Sequence, residues 1–359
     1  MKIGLVGLQN SGKTTIFNAL TGLEAETASY SNAANEPNVG IVEVDDNRVS
    51  ELTKMYQPKK TVYANIEYMD FVGLTGDKSQ GDVFPANSMA LIKNADAIAV
   101  VVRNFSDEII SQTQGEPDPA GDVEKINSEL IFSDLMIAEK RLEKLELNLK
   151  RGVQDSASKL EQKALAKIVE NLNNEIPIRD LQLTADEKKS IRGFQFITQK
   201  PLMVILNSDE NNFGQNQDIL EKLNQNYRAI EFAGNFEMEL SSLDSEEAAV
   251  FMEDMGISSS ARERLTLFSY DMLGLISFFT VGKDEVRAWT IEKGDDAVTA
   301  AGKIHSDLAR GFIRAECFNY QDLMELGSEK VIKEHGKMCL EGKSYIVKDG
   351  DILNIRFSV

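Results

Sequence analysis

The first fourteen residues constrain the fold more than any other stretch of the chain. Ile3-Gly4-Leu5-Val6 reads as a buried strand, and Gly7-Leu8-Gln9-Asn10-Ser11-Gly12-Lys13-Thr14 follows it directly. The spacing fits G-x-x-x-x-G-K-[ST] without a mismatch. Glycines at the two fixed positions let backbone N–H groups from Asn10 to Thr15 curl around phosphate oxygens. Lys13 can reach the β- and γ-phosphates of a nucleotide, and the Thr14 hydroxyl can sit on Mg²⁺. Thr15 to Leu20 continue as a helix whose N-terminal dipole faces the same anion. A loop of this kind works only at the carboxyl end of a parallel strand, so the chain is expected to open an α/β domain.

The rest of the sequence extends that domain. Val39–Val44 and Ala64–Asp70 have strand-like alternation or β-branched content. Ala97–Val102 and Leu202–Leu206 are short, wholly apolar runs, as expected of strands buried on both faces of a parallel sheet. Ala229–Ala233 reads as one more strand. Helical patterns lie between them, which gives a βα alternation. From about Asp122 to Arg192 the strands stop. Ile126, Leu130, Phe132, Leu135, Ile137, Leu142, Leu145 and Leu149 recur at helical spacing, and Ser158–Leu172 repeats the pattern, which predicts an inserted antiparallel helical hairpin.

After Ser277 the texture turns β-rich. Strands are expected at Phe278–Gly282, Glu285–Ile291, Phe312–Phe318, Lys343–Val347 and Asp351–Phe357, with one helix at Asp295–Leu308 and a turn at Lys348-Asp349-Gly350-Asp351. The expected divisions are residues 1–121 with 193–276, then 122–192, then 277–359.

Charge and composition narrow the function. The 359 residues carry a net charge of −19, which opposes broad, non-specific binding to DNA or RNA. Residues 277–359 hold 12 Lys and Arg against 14 Asp and Glu, so the acidity lies upstream and this segment faces the smallest repulsion from RNA. No apolar run is long enough to span a bilayer. The two cysteines, Cys317 and Cys339, make neither a metal spacing nor a disulfide framework, in keeping with a cytoplasmic protein. His305 and His335 stand apart from each other and from any ligand pattern.

Two further segments carry chemistry. Asp70-Phe71-Val72-Gly73 ends the Ala64–Asp70 strand. Asp70 there can hold Mg²⁺ through water, and the Gly73 N–H can contact a γ-phosphate during catalysis. Leu74 follows, where Ras-like switches place a Gln that orients the attacking water, so turnover is expected to be slow. Asn207-Ser208-Asp209-Glu210 ends the Leu202–Leu206 strand. GTPases carry N-K-x-D here, and the Asp accepts hydrogen bonds from guanine. With Glu210 in that place and no Lys, the guanine donors lose their match, which favours adenine over guanine, ATP over GTP. Asn207, Ser208 and Glu210 are the expected frame for the base.

The order of these motifs resembles the YchF family of Obg-related P-loop ATPases. The resemblance runs through Glu36-Pro37-Asn38-Val39-Gly40, Val101-Val102-Arg103-Asn104-Phe105, Asp118-Pro119, Glu285–Thr290, Gly311–Glu316 and Val347–Asp351, nearly the whole chain. It implies a G domain, a helical insertion and a C-terminal TGS (ubiquitin-like) module. It also implies Mg²⁺-dependent hydrolysis of ATP in preference to GTP, and association with the ribosome, mainly its large subunit, in translation or stress responses. The hairpin and the TGS module are the expected contacts to rRNA or ribosomal proteins.

Three departures fall on switch regions. Ala34 stands where the family usually has a Thr that closes over the metal. The stretch Gly76–Asp82 is altered. Ser111 or Gln112 replaces a His implicated in hydrolysis. Two alternatives therefore remain beside a slow ATPase: a nucleotide-gated binding module with negligible turnover, and a GTPase.

Overall fold

The computed structural model describes residues 1–23, 25, 37–71, 86–151, 155–243, 245–254, 256–257 and 259–358. In chain order the first half contains β1 (Lys2–Val6), α1 (Lys13–Thr21), β2 (Asn38–Glu43), α2 (Asn47–Tyr56), β3 (Lys60–Val62) and β4 (Asn65–Asp70). It continues with α3 (Ala86–Ile92), β5 (Ala97–Asn104), α4 (Glu108–Gln114), α5 (Pro119–Lys150), α6 (Ser156–Asn173) and α7 (Ala185–Ile191). Then come β6 (Leu202–Ser208), α8 (Gln217–Asn224), β7 (Arg228–Phe232), α9 (Gly234–Leu240), α10 (Ser245–Asp254) and α11 (Ala261–Met272). The last part holds β8 (Leu275–Thr280), β9 (Glu285–Glu292), α12 (Ala297–Ile304), α13 (Ser306–Arg310), β10 (Phe312–Asn319), α14 (Tyr320–Leu326), α15 (Glu329–Glu334), β11 (Cys339–Glu341) and β12 (Asp351–Phe357).

Contacts divide the chain into two units, residues 1–41 with 67–262, and residues 42–66 with 263–359. The first unit is built on a sheet of order β2-β4-β1-β5-β6-β7. Each of β4, β5, β6 and β7 runs parallel to its neighbour on the β1 side. All residues of β5 and β6 are buried, as their unbroken apolar runs predict. Their register sets Arg103 opposite Asn207 and Asn104 opposite Ser208, so the polar residues gather at one end of the sheet. The fold is an α/β P-loop domain, as expected.

The insertion grows out of this unit without a break. Pro119 opens α5 at a position where its missing N–H goes unused. Val123, Ile126 and Leu130 of α5 lie in the core beside β5 and β6. Further along the same helix, Ile131, Ala138 and Leu145 form a second core with Leu165 and Ile168 of α6. Arg141 donates from Nε and Nη2 to the two Glu161 carboxylate oxygens at 2.7 and 2.8 Å across the hairpin. At the junction, the fully buried Asp134 accepts from Ile197 N (3.1 Å), Thr198 N (2.7 Å) and Thr198 Oγ1 (2.8 Å). Burial pushes the Asp134 carboxyl up from its ordinary value, and the Thr198 donors oppose that.

The second unit has a sheet of order β11-β10-β12-β8-β9-β3. β8 and β9 form an antiparallel pair, as do β10 and β12, while β12 joins β8 in parallel. Phe278, Ile291, Ala301 and Leu353 form its core with α12. Residues 42–66 complete it: β3 pairs parallel with β9, and Arg48 of α2 donates to Asp46 and Asp349 and stacks 5.0 Å over Phe279.

Two expectations in this unit are corrected. The single helix expected at Asp295–Leu308 is two, because His305 takes an extended backbone (φ −163°) and its Nδ1 caps α13 by accepting from Asp307 N at 3.1 Å. The strand expected at Lys343–Val347 is a single bridge from Ile346 to Asp296. Tyr345 and Val347 alternate inward from a loop, where the Tyr345 carbonyl accepts from Ala297 N and the Val347 N–H donates to Asp295 O. The strand in this region is β11, four residues upstream of Lys343–Val347 by its first residue.

Candidate nucleotide site

The loop after β1 folds as its glycines predict. Asn10 and Gly12 adopt left-handed backbone (φ 63° and 81°), and Gly12 is the N-cap of α1. A side chain on Gly7 would lie 2.5 Å from Ser11 Oγ and 2.6 Å from the Val101 carbonyl, so only glycine fits there. Ser11 Oγ is buried and has no hydrogen-bond partner among the described residues. A buried hydroxyl with spare capacity inside a phosphate-type loop fits an anion not made by the protein itself.

β1 and β4 run parallel with Leu5 opposite Asp70, which brings the end of β4 beside the start of α1. Asp70 is 0% exposed and Lys13 11%. The Lys13 ammonium pairs with one Asp70 carboxylate oxygen, and the Thr14 hydroxyl donates to the other at 2.9 Å. Hydroxyl and carboxylate together offer hard oxygen donors on one side of a loop of N–H groups, a set that suits Mg²⁺ with water completing its shell. Bound there, the ion would neutralise charge on the β- and γ-phosphates. The protein's own part would be to hold the phosphates with Lys13 and the loop N–H groups, and to keep Thr14 and Asp70 in place.

Beyond the loop lies a cavity of about 210 Å³. Gly12, Thr15, Asn207, Ser208 and Glu210, all expected at the site, line it. Asn207 frames it by bracing backbone at both ends of its amide. Its Nδ2 donates to the Ser11 carbonyl at 3.0 Å, and its Oδ1 accepts from Gly234 N at 3.0 Å. A side chain on Gly234 would come within 2.6 Å of that oxygen. The Ser208 hydroxyl is committed to a buried network: it accepts from Asn104 Nδ2 at 2.9 Å and donates to Glu231 Oε1 at 2.6 Å. Glu210 is exposed at the rim.

Four lining residues were not anticipated: Phe105, Asp209, Asn211 and Asn235. Phe105 and Asn235 follow the carboxyl ends of β5 and β7, and Asp209 accepts from Ser106 N at 3.0 Å. The strand-end rule applied to every strand of the sheet would have found Phe105 and Asn235. Ser111 and Gln112 fall on α4. Ala34, Glu36, Gly73, Leu74 and the Gly76–Asp82 stretch lie outside the described residues.

Similarity to known proteins agrees with this geometry. Residues 2–138 match the family model of 50S ribosome-binding GTPases, and residues 275–358 match the YchF-GTPase C-terminal model, described as a protein of unknown function. The ribosome-binding ATPase YchF of Bacillus subtilis is 39% identical over 99% of both chains. The chain belongs to the YchF family. The Escherichia coli O157:H7 protein of the same name is 38% identical over 100% of this chain and 99% of its own. The solved Schizosaccharomyces pombe YchF GTPase superposes with a TM-score of 0.83 at 31% identity, covering 99% of this chain and 97% of that one. The YchF resemblance expected from the motifs thus holds over the full length.

Proposed function

We propose that the chain is a Mg²⁺-dependent ATPase that associates with ribosomes. The observation that carries this is the joining of Lys13, Thr14 and Asp70 at the mouth of the phosphate loop. The names of the bacterial relatives, ribosome-binding ATPases, support the reading. In it, Asn10, Ser11, Gly12, Lys13, Thr14 and Thr15 hold phosphates, Thr14 and Asp70 serve the metal, and Asn207, Ser208 and Glu210 frame the base. Lys13 and the Gly73 N–H act on the γ-phosphate. Phosphoryl transfer asks for positioning and charge stabilisation more than covalent chemistry, so these groups suffice in kind.

ATP is preferred over GTP because the base segment ends in Glu210 and offers no Asp in the guanine-reading place. Turnover is slow because Leu74 cannot orient a water. The hairpin of residues 122–192 and the TGS module of residues 277–359 contact the large ribosomal subunit, and residues 1–121 with 193–276 form the G domain, apart from residues 42–66 and 263–276, which group by contacts with the C-terminal unit. The setting is cytoplasmic, and the role is that of a nucleotide-dependent regulator of translation or stress.

Phosphate release with ATP and GTP, alone and with ribosomes, tests the reading. ATP should be turned over faster than GTP, and Lys13→Ala should lose at least tenfold. Release unchanged by that substitution overturns the assignment. A second reading rests on Ala34 and Leu74 in the sequence: binding of ATP gates ribosome association and hydrolysis is negligible. Nucleotide-dependent co-sedimentation without phosphate release would favour it.

A further inference from the structure

The sequence contains two cysteines, twenty-two positions apart, and the second sheet sets them face to face. β10 and β11 are antiparallel with Cys317 directly opposite Cys339. Opposed residues of an antiparallel pair project from the same face, with Cα atoms about 4.5–5.5 Å apart, inside the disulfide range of roughly 4.4–6.8 Å. Their Cβ atoms start at about 4.5–5.5 Å, slightly wide of the usual disulfide separation of roughly 3.5–4.5 Å. β11 can close that gap: it has three residues and ends the sheet, with β10 as its neighbour in the order.

We propose that Cys317 and Cys339 are a peroxide-responsive thiol pair that closes a reversible intramolecular disulfide between β10 and β11. The two thiols divide the roles by environment. Cys339 is exposed and Cys317 is 5% exposed. Burial pushes the Cys317 thiol up to about 12, with Asp351 adding to the effect, so Cys317 stays protonated and unreactive towards solvent oxidants. Cys339 reacts first. Its thiolate sulfur attacks hydrogen peroxide, the O–O bond breaks, hydroxide leaves and takes up a proton, and the sulfur is oxidised to a sulfenic acid.

The Cys317 sulfur then attacks the Cys339 sulfur. The S–O bond breaks, the S–S bond forms, and the Cys317 thiol proton leaves with the hydroxyl as water. Two thiols and one peroxide give one disulfide and two waters. A cellular dithiol reverses the step by thiol–disulfide exchange. The bond encloses residues 318–338, which include α14 and α15. Tyr320 and Glu329 of that segment bond Glu51 and Tyr56, so the closed loop contains two of the groups that hold α2 within this unit.

Intact-mass spectrometry and peptide mapping of the reduced full-length protein after hydrogen peroxide treatment test the proposal. The expected result is loss of two hydrogens per chain, one cross-linked peptide pair containing Cys317 and Cys339, and full reversal by dithiothreitol. Cys317→Ala should convert Cys339 to sulfinic and sulfonic acid instead, because the resolving thiol is gone. Cys339→Ser, a change at an exposed position, should leave Cys317 unoxidised. Disulfide-linked dimers through Cys339, or over-oxidation of Cys339 in the unsubstituted chain without any internal cross-link, would overturn it.

Discussion

Asn207 shows how much one amide can hold. It ties the phosphate loop, through the Ser11 carbonyl, to the backbone that starts α9, through Gly234 N. Asn207→Ala should leave both buried backbone groups unpaired, each costing about 1–3 kcal/mol. Urea unfolding should show the loss, and titration calorimetry should show ATP affinity lower by at least tenfold. Lys13→Ala tests a different part. It strips the ammonium from a carboxylate with no exposure to water, and removing one partner of a buried pair costs about 3 kcal/mol. The nucleotide-free protein should therefore also be less stable, which separates a structural role in Asp70 pairing from the role in phosphate binding. Both residues were found by their motifs. So were Asp70 and Ser11, but the bonds that join them were not, because a hydrogen bond between residues 196 positions apart, such as Asn207 to Ser11, leaves no local pattern.

Among elements, the legible ones are those whose local pattern and tertiary use agree. β5 and β6 were readable because a strand buried on both faces has no polar residue to interrupt it, and the α5–α6 hairpin because each helix carries an apolar stripe. β3 and β11 were not. Each has three residues and takes its identity from a partner strand, β9 or β10, that the local sequence does not reveal. His305 split a helix for a related reason: a side-chain cap competed with continuation of the backbone spiral. Asp134 offers an element-scale prediction. Asp134→Ala leaves three donors from Ile197 and Thr198 without an acceptor at the segment leading into β6, and should cost about 3–4 kcal/mol by denaturant unfolding. A proline at the exposed Lys140 should break α5 beyond its buried root, at about 3 kcal/mol locally. Ribosome co-sedimentation should fall while ATP affinity is kept, if the outer hairpin is the docking surface.

For the whole molecule, the division of the chain does not follow its linear order. Residues 42–66 sit in sequence between β2 and the end of β4 that carries Asp70, yet by contacts they belong with residues 263–359. The sequence offered no composition shift at either edge of this segment, so it was legible only once β3 had been seen to pair with β9. Arg48 is one of its anchors. Burial works against the charged guanidinium, but the Asp46 and Asp349 carboxylates hold it well above its ordinary value. Arg48→Ala should loosen this unit, read as faster amide exchange across α2 and β3, with little change in ATP affinity measured on the same protein. Deletion of the outer hairpin alone, with Val123, Ile126 and Leu130 left in the sheet core, or of the residues after Ser277 should each reduce ribosome co-sedimentation, and binding that survives both deletions would place the contact elsewhere.

The 32-residue α5 has one last consequence. Its first three turns are set in the core of the sheet that also carries Asn207, and about 20 residues, roughly 30 Å at 1.5 Å each, extend beyond. A rod clamped at one end is a pointer. A tilt of about 5° at its root would carry the far end through nearly 3 Å, a displacement on the scale of a hydrogen bond. Small adjustments in that sheet would thus be enlarged at the far end of α5.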